Sequence, residues 1–319
     1  MNSQDSSNIY PKAKNPFDLI ITKYVWSKHF GSNHKICILT FPDSLGKINT
    51  IAPMKIKDDQ ISFIGDKNLF DYQDLIYSDK YEDKSSSNHI SEIFSEINKM
   101  PNVKNLIFES VSEQSYLIKY FKENNDTLWK FDITFEDVCP IINLEDSWEN
   151  YLSSLKKKYR HELKRKIKRI NSSGKVDHYE LVGKDEIMKN IDCFFELLKS
   201  SSHAKSNFLT PEYQDFFVDL LDNLSGYDDL VRLSFLEFEK SKVASSLSFV
   251  INNTRFLYNS GYDPKFSDLS VGLINHAYSI KLSIEQNIKI FDFMRGDERY
   301  KYHLGAEDTR LFTILGKRK

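Results

Sequence analysis

Short apolar runs alternating with amphipathic helical stretches, from residue 15 to the C-terminus, constrain this chain more than any other feature. The runs at 35–41, 48–56, 61–65, 105–108, 230–237, 242–251, 254–260, 288–293 and 309–315 have strand length and alternate or run apolar. Between them, 90–99, 115–124, 187–200, 211–224 and 271–285 place apolar residues three or four apart, as helices with one buried face do. Trp26 and Phe30 sit on a further short helix, and the Ser/Asp/Lys/Asn-biased stretch 77–89 reads as an exposed loop. Strands and helices in alternation build α/β layers. With 319 residues, 40% of them hydrophobic, the chain has material for two such domains.

The polar stretch 1–14 reads as a tail, 15–140 as the first domain and 141–319 as the second. The halves echo each other. A strand and Gly65 precede 71–76, while a strand and Gly261 precede 268–272; later in each half a helix leads to a buried strand, at 106–108 and at 288–293.

The formal net charge of −2 conceals a strong asymmetry. Residues 156–169 hold nine Lys/Arg against the single acid Glu162, leaving −10 for the rest. A local positive field on an acidic body suits the handling of phosphate at one place. The segment belongs to one helix, 148–170, opened by a capping box of Asp146 and Glu149, with Trp148, Leu152, Leu155, Tyr159, Leu163, Ile167 and Ile170 as its buried stripe. Arg160 and Lys164, at i and i+4, share a face and can grip one phosphate together, although such faces are also simply solvated.

Other chemistries find little footing. No apolar run is long enough to span a bilayer, and the start lacks the basic and apolar regions of a secretory signal, so the expected location is cytoplasmic. Cys37, Cys139 and Cys193 lie far apart without metal spacing, so neither a disulfide framework nor a metal site is expected. Walker and Rossmann glycine patterns are missing, and His29, His34 and His161 stand in no Ser/His/Asp order; His203 lies in the polar loop Ser201-Ser202-His203-Ala204-Lys205, which could line a cleft, and His303 follows Lys301 closely enough to reach the site, without an evident partner.

One ordered series of motifs carries a resemblance. The basic helix is followed by Tyr258-Asn259-Ser260-Gly261-Tyr262-Asp263, then Leu269-Ser270-Val271-Gly272, then the string from Phe291 to Lys301 that contains Gly296-Asp297-Glu298-Arg299-Tyr300-Lys301. Over about 145–305 this series resembles the second domain of FemAB-like acyltransferases of the GNAT superfamily, in particular the CelD/BcsL branch. The first half resembles the family more loosely, through Asn15-Pro16-Phe17, Ile51-Ala52-Pro53, Gly65 and Asp71-Tyr72-x-Asp74. The resemblance implies two tandem GNAT-like α/β domains with mixed sheets flanked by helices, and transfer of an acyl group to a primary amine. It further implies acyl-CoA or aminoacyl-tRNA as donor, no tightly bound cofactor, and an amine acceptor on a small molecule, glycan or peptide, as in envelope or polysaccharide synthesis. The sequence departs from the CoA-binding turn of many GNAT enzymes, since Asp268-Leu269-Ser270-Val271-Gly272-Leu273 keeps one glycine.

By the same resemblance Lys301 stands near the reacting carbonyl, where an ammonium would hold the donor's phosphate or offset charge growing on the oxygen. Asp292, alternating with Phe291 and Phe293, points away from both and would orient Lys301 or Arg295 or accept the amine's proton; a structural aspartate fits the pattern equally. Arg295, Gly296, Glu298, Arg299 and Tyr300 form a substrate rim, with ordinary surface ion pairs as the alternative. Tyr258, Gly261 and Tyr262 lie where substrate is held, or pack in the core, and Gly272 stands at the donor's helix N-terminus. Asp71 and Asp74 receive a cationic acceptor or cap a loop. The other functional class is a non-catalytic GNAT-like module that binds RNA or an anionic glycan through 156–169.

Overall fold

The computed structural model describes residues 13–43, 45–78, 83–124, 127–227 and 229–319, so nearly all of the expected tail lies outside the described residues. The chain divides into two compact units, Met1–Val138 with Thr309–Lys319, and Cys139–Asp308. The terminal strand thus groups with the first unit, not with the second domain where the sequence placed it.

In the first unit, α1 (Ile20–Phe30) precedes an antiparallel meander of β1 (Lys35–Pro42), β2 (Ile48–Lys57) and β3 (Gln60–Phe63). A short β4 (Ile76–Tyr77) pairs with β2, and α2 (Asp83–Asn98) returns the chain to β5 (Asn105–Ser112), which lies parallel to β3. Helix α2 starts inside the stretch expected to be a loop. Helix α3 (Tyr116–Glu123) follows, its first turn capped where Ser115 Oγ accepts from the Leu117 amide at 3.0 Å. β6 (Trp129–Asn143) comes next, and the C-terminal strand Glu307–Arg318 pairs with β5. Met54, Ile61, Phe63, Phe94, Leu106, Phe108 and Trp129 form the core.

The second unit begins with α4 (Trp148–Ser154) and α5 (Lys157–Ser173). The single helix expected over 148–170 is broken, because Leu155 and Lys156 are extended. Ser153 and Ser154 turn their hydroxyls back on the carbonyls of Glu149 and Tyr151, competing with the helical ladder, and Lys157 and Lys158 oppose the positive end of a new helix. The cap is Ser147, not Asp146: its Oγ accepts from the Asn150 amide at 3.1 Å. Strand β7 (Val176–Leu181) leads to α6 (Lys184–Ser201), α7 (His203–Phe208) and α8 (Pro211–Leu224); α8 opens with Pro211 behind the cap Thr210, as its sequence indicates.

β8 (Val231–Phe238), β9 (Ser241–Ile251) and β10 (Thr254–Tyr262) complete an antiparallel run with β7. Helix α9 (Val271–Glu285) then leads to β11 (Ile290–Asp292), parallel to β10 and antiparallel to the end of β6. α10 (Arg299–His303) and the strand β12 (Glu307–Arg318) close the chain. The two units share one order, an antiparallel meander followed by a helix and a parallel strand, which is the echo visible between the halves of the sequence. Strands β6 and β7 lie outside the sequence expectations. Fully buried Arg255 at the start of β10 joins Glu180 of β7 by two hydrogen bonds and Gln286 by one at 2.9 Å, a pairing with no sequence signature.

Candidate active site

The site arises where β10 outruns its parallel neighbour. The two strands pair only at Thr254–Ile290, Arg255–Phe291 and Phe256–Asp292, and β11 ends there, while β10 continues to Tyr262 against β9 alone. The register shift between Leu257 and Asn259 marks a bulge at Tyr258, a local kink that strands use near functional sites. The open edge of β10 therefore presents main-chain groups to a pocket of about 360 Å³.

Across that pocket stands the N-terminus of α9. Ser270 precedes it in the left-handed conformation, φ 56° and ψ 37°, with its hydroxyl making no capping bond. The amides of Val271, Gly272 and Leu273, all at the pocket wall, have no intrahelical acceptor. Two cations from α5 converge on the same point: Lys166 Nζ donates to Ser270 Oγ at 2.7 Å and Arg169 Nη2 at 3.1 Å. Free amides, the positive end of a helix dipole and two basic side chains together favour an anion.

The opposite wall holds the titratable groups. Lys205 of α7 is half-buried and donates Nζ to the Ser260 carbonyl on the open edge of β10. Burial lowers its pKa, with Glu298 opposing that shift and Lys301 adding to it. His276 of α9 is buried; desolvation first, then Lys205 and Lys301, push its imidazole down to about 3, so it is neutral at physiological pH. Its Nε2 lies 3.4 Å from Ser260 Oγ, and its Nδ1 has no hydrogen-bond partner among the described residues. Tyr300 stacks on the His276 ring with centroids 5.1 Å apart, and burial raises its phenol well above the ordinary value. Glu298 lines the pocket, its side chain 57% exposed.

Lys301 takes a place different from the one the resemblance implied. Its side chain is 2% exposed, and Nζ donates to the carbonyls of Met294 at 3.0 Å, Arg295 at 2.8 Å and Gly296 at 2.9 Å, with Glu298 Oε2 at 2.9 Å. Three main-chain oxygens and a carboxylate use the three donors of an ammonium group, so Lys301 acts through the turn it binds. Asp292 serves the same turn: its Oδ1 accepts from the Met294 amide at 2.7 Å, where Met294 sits at φ 55°. Gly296 has φ 110°, and a Cβ there would lie 2.7 Å from the Glu298 carboxylate, which places that carboxylate tightly over the turn.

The remaining candidates separate into two groups. Gly261, Tyr262, Gly272, Glu298 and Tyr300 all line the pocket. Gly261 is fixed by packing as well, since a Cβ would stand 2.3 Å from the Leu198 amide of α6. Tyr258 packs its ring between Phe217 and Phe249, at 5.7 and 5.6 Å, away from the pocket wall. Arg160 donates to the Ser153 carbonyl at 2.9 Å and Lys164 is exposed, and neither reaches Ser270; the helix positions that do are Lys166 and Arg169. Arg299 and His303 line a separate basic groove with Lys158, Tyr159 and Arg165, where His303 and Tyr159 lie 4.5 Å apart. In the first unit, Asp74 accepts from the Leu75 amide and is bonded by Ser115, a turn-forming role. Ser270 stands in a quoted motif and Lys205 in the polar loop 201–205, but neither was given a role of its own, and His276 escaped the sequence reading. Only Ser270, directly before a helical pattern, carried a signal there.

Among the described residues no cluster of three His, Cys, Asp or Glu side chains is placed to hold a metal, and no helix is long and apolar enough to cross a membrane.

An antiparallel meander opened beside a helix N-terminus, with a parallel strand beyond, is an α/β arrangement suited to holding an anionic group. Residues 157–302, which hold every element of the site, match the family described as acetyltransferase (GNAT) domain. The match assigns a GNAT-type domain to this stretch of the second unit. The chain's fold extends over whole chains elsewhere. FemX is 12% identical with a TM-score of 0.65, covering 98% of this chain and 96% of that one. A conserved protein of unknown function from Bacteroides thetaiotaomicron VPI-5482 is 13% identical with a TM-score of 0.63, over 99% and 96%. L-PGS from Bacillus licheniformis is 12% identical with a TM-score of 0.57, over 97% and 94%. No curated protein matches the sequence.

Proposed function

We propose that this protein transfers an acyl or aminoacyl group from a phosphorylated carrier, acyl-CoA or aminoacyl-tRNA, to a primary amine, in the pocket between β10 and the N-terminus of α9. The observation that carries this reading is the convergence of the α9 amides, Lys166 and Arg169 on one side and the open edge of β10 on the other. The donor's phosphate docks at the helix end, and its carbonyl lies along β10, where main-chain amides can bind the oxyanion. Holding donor and amine together supplies much of the acceleration, and the amine attacks directly, without a covalent enzyme intermediate.

Glu298 receives the acceptor's ammonium group and takes its proton, being the carboxylate at the pocket wall. Lys301 and Asp292 hold the turn that aims it. Tyr300, kept protonated by burial, supplies a proton to the leaving group. Fluorescent detection of released thiol from acetyl-CoA, and loss of label from charged tRNA, each with a panel of primary amines, tests the reading. Amine-dependent release from one donor supports it; release from neither, at any amine, overturns it. The exposed basic groove bearing Lys158, Arg165 and Arg299 favours RNA as a ligand of this unit. If RNA binding is the whole function, affinity falls steeply with salt and Glu298→Gln changes nothing.

A further inference from the structure

The proposed donor pocket contains an amine of the protein itself. Lys205 Nζ is bound to the Ser260 carbonyl, on the stretch of β10 left open by the end of β11, and lines the same pocket as the α9 N-terminal turn. Every other lysine of the site is committed elsewhere: Lys301 to its turn carbonyls, Lys166 to Ser270. A primary amine held beside an open strand edge, in the pocket that Glu298 also lines, reproduces what an acceptor must do there.

We infer that Lys205 is a self-acylation site, whose side chain takes the acyl group when no external amine occupies the pocket. This rests on reading the pocket as the donor site. The neutral Nζ attacks the donor's carbonyl carbon. A C–N bond forms, the thioester C–S bond (or the ester C–O bond of a charged tRNA) breaks, and the carrier leaves as the free thiol or hydroxyl. One of the two Nζ protons passes to the departing sulfur or oxygen by way of Glu298 or water. Any proton carried by Lys205 beforehand goes to solvent, a loss that burial already favours. The product is an amide, bulkier and uncharged at Nζ, which removes the ammonium from the Ser260 carbonyl and fills the acceptor's place.

Full-length protein is incubated with acetyl-CoA, and in parallel with charged tRNA, without acceptor, and modified peptides are quantified by mass spectrometry. Acylation of Lys205 is expected to exceed that of exposed Lys157, Lys158 and Lys164 by about a hundredfold, because a bound donor makes the step intramolecular. Excess unacylated carrier suppresses it, and so does Gly272→Asp, which places a carboxylate among the α9 amides while favouring the helix start. Acetyl phosphate, which needs no carrier site, is expected to mark the exposed lysines instead. If either donor is bound or turned over and Lys205 stays unmodified, self-acylation is overturned and the acyl-transfer reading stands. If neither donor is bound, turned over or consumed, the acyl-transfer reading itself falls, and this inference with it.

Discussion

The two units treat the open end of their last meander strand in opposite ways. After β3 the chain turns through Ile64 and Gly65, and two buried lysines close the turn: Lys23 Nζ donates to the Ile64 carbonyl at 2.9 Å and Lys55 Nζ to that of Gly65. Phe70 lies where a Gly65 side chain would be, 2.2 Å from an ideal Cβ, and Phe17 stacks on it at 5.0 Å. Trp26 covers Lys55 at 4.0 Å and bonds Asp66. After β10, by contrast, a single half-buried lysine meets the strand edge, and a helix N-terminus faces it across a pocket. The same strand order thus yields a plugged end in the first unit and an open pocket in the second. Helix position makes the difference: α9 begins soon after β10, whereas α2 begins only at Asp83, and Leu69, Phe70 and Leu75 of the described stretch before it are buried as filler.

Burial of lysine has different consequences in the two places. In the first unit desolvation lowers both Lys23 and Lys55 to about 8, yet main-chain oxygens and aromatic faces hold them, so their role is structural. In the second unit Lys301 fixes a turn that bears a pocket carboxylate. Substitutions therefore separate the units. Glu298→Gln is expected to lower turnover about 10³-fold with donor affinity retained, checked by steady-state kinetics; general-base removal has effects of this order. Lys301→Met leaves three turn carbonyls without a donor, and a displaced Glu298 should lower kcat about 10²-fold. A rise in KM alone, with kcat unchanged, would show that Lys301 meets the substrate directly.

Lys55→Met probes the plugged end. Loss of the ammonium from the Gly65 carbonyl should destabilise the fold by about 1–3 kcal/mol, read by denaturant unfolding, with kcat unchanged below the transition. A loss of activity at full folding would make the first unit part of the chemistry. The smallest effect concerns Asp74. Burial raises its carboxyl from 3.8 to about 7, so the folded state keeps a proton that the unfolded chain releases. Its contribution to stability is complete below pH 3.8 and is lost as pH rises towards about 7. Asp74→Asn should flatten that dependence, gaining on the order of 2 kcal/mol over wild type at pH 8 but not at pH 4.

Most of this architecture was legible in the order of apolar runs, including the parallel strands at 106–108 and 288–293, because period and turn residues are local properties. The break at Leu155 was not, since it depends on two serine hydroxyls turning back on the helix. Gly272 and Glu298 stand in the motifs quoted from the sequence, and the structure brings them to one pocket. The local sequence around Lys301 gave no sign that its side chain is buried, because its partners are main-chain oxygens that every residue possesses. Lys166, Arg169 and Lys205 acquire their place from tertiary contacts with Ser270 and Ser260, far away in sequence.

Donor turnover by wild-type protein and by Gly272→Asp, measured side by side with acetyl-CoA and with charged tRNA, probes the proposed donor pocket most directly. Wild type should turn over one of the two donors, and the added carboxylate should weaken use of that donor about a hundredfold, because it repels phosphate at close range in a sheltered site. Undiminished turnover by Gly272→Asp would place the donor somewhere other than the α9 N-terminus and contradict the account.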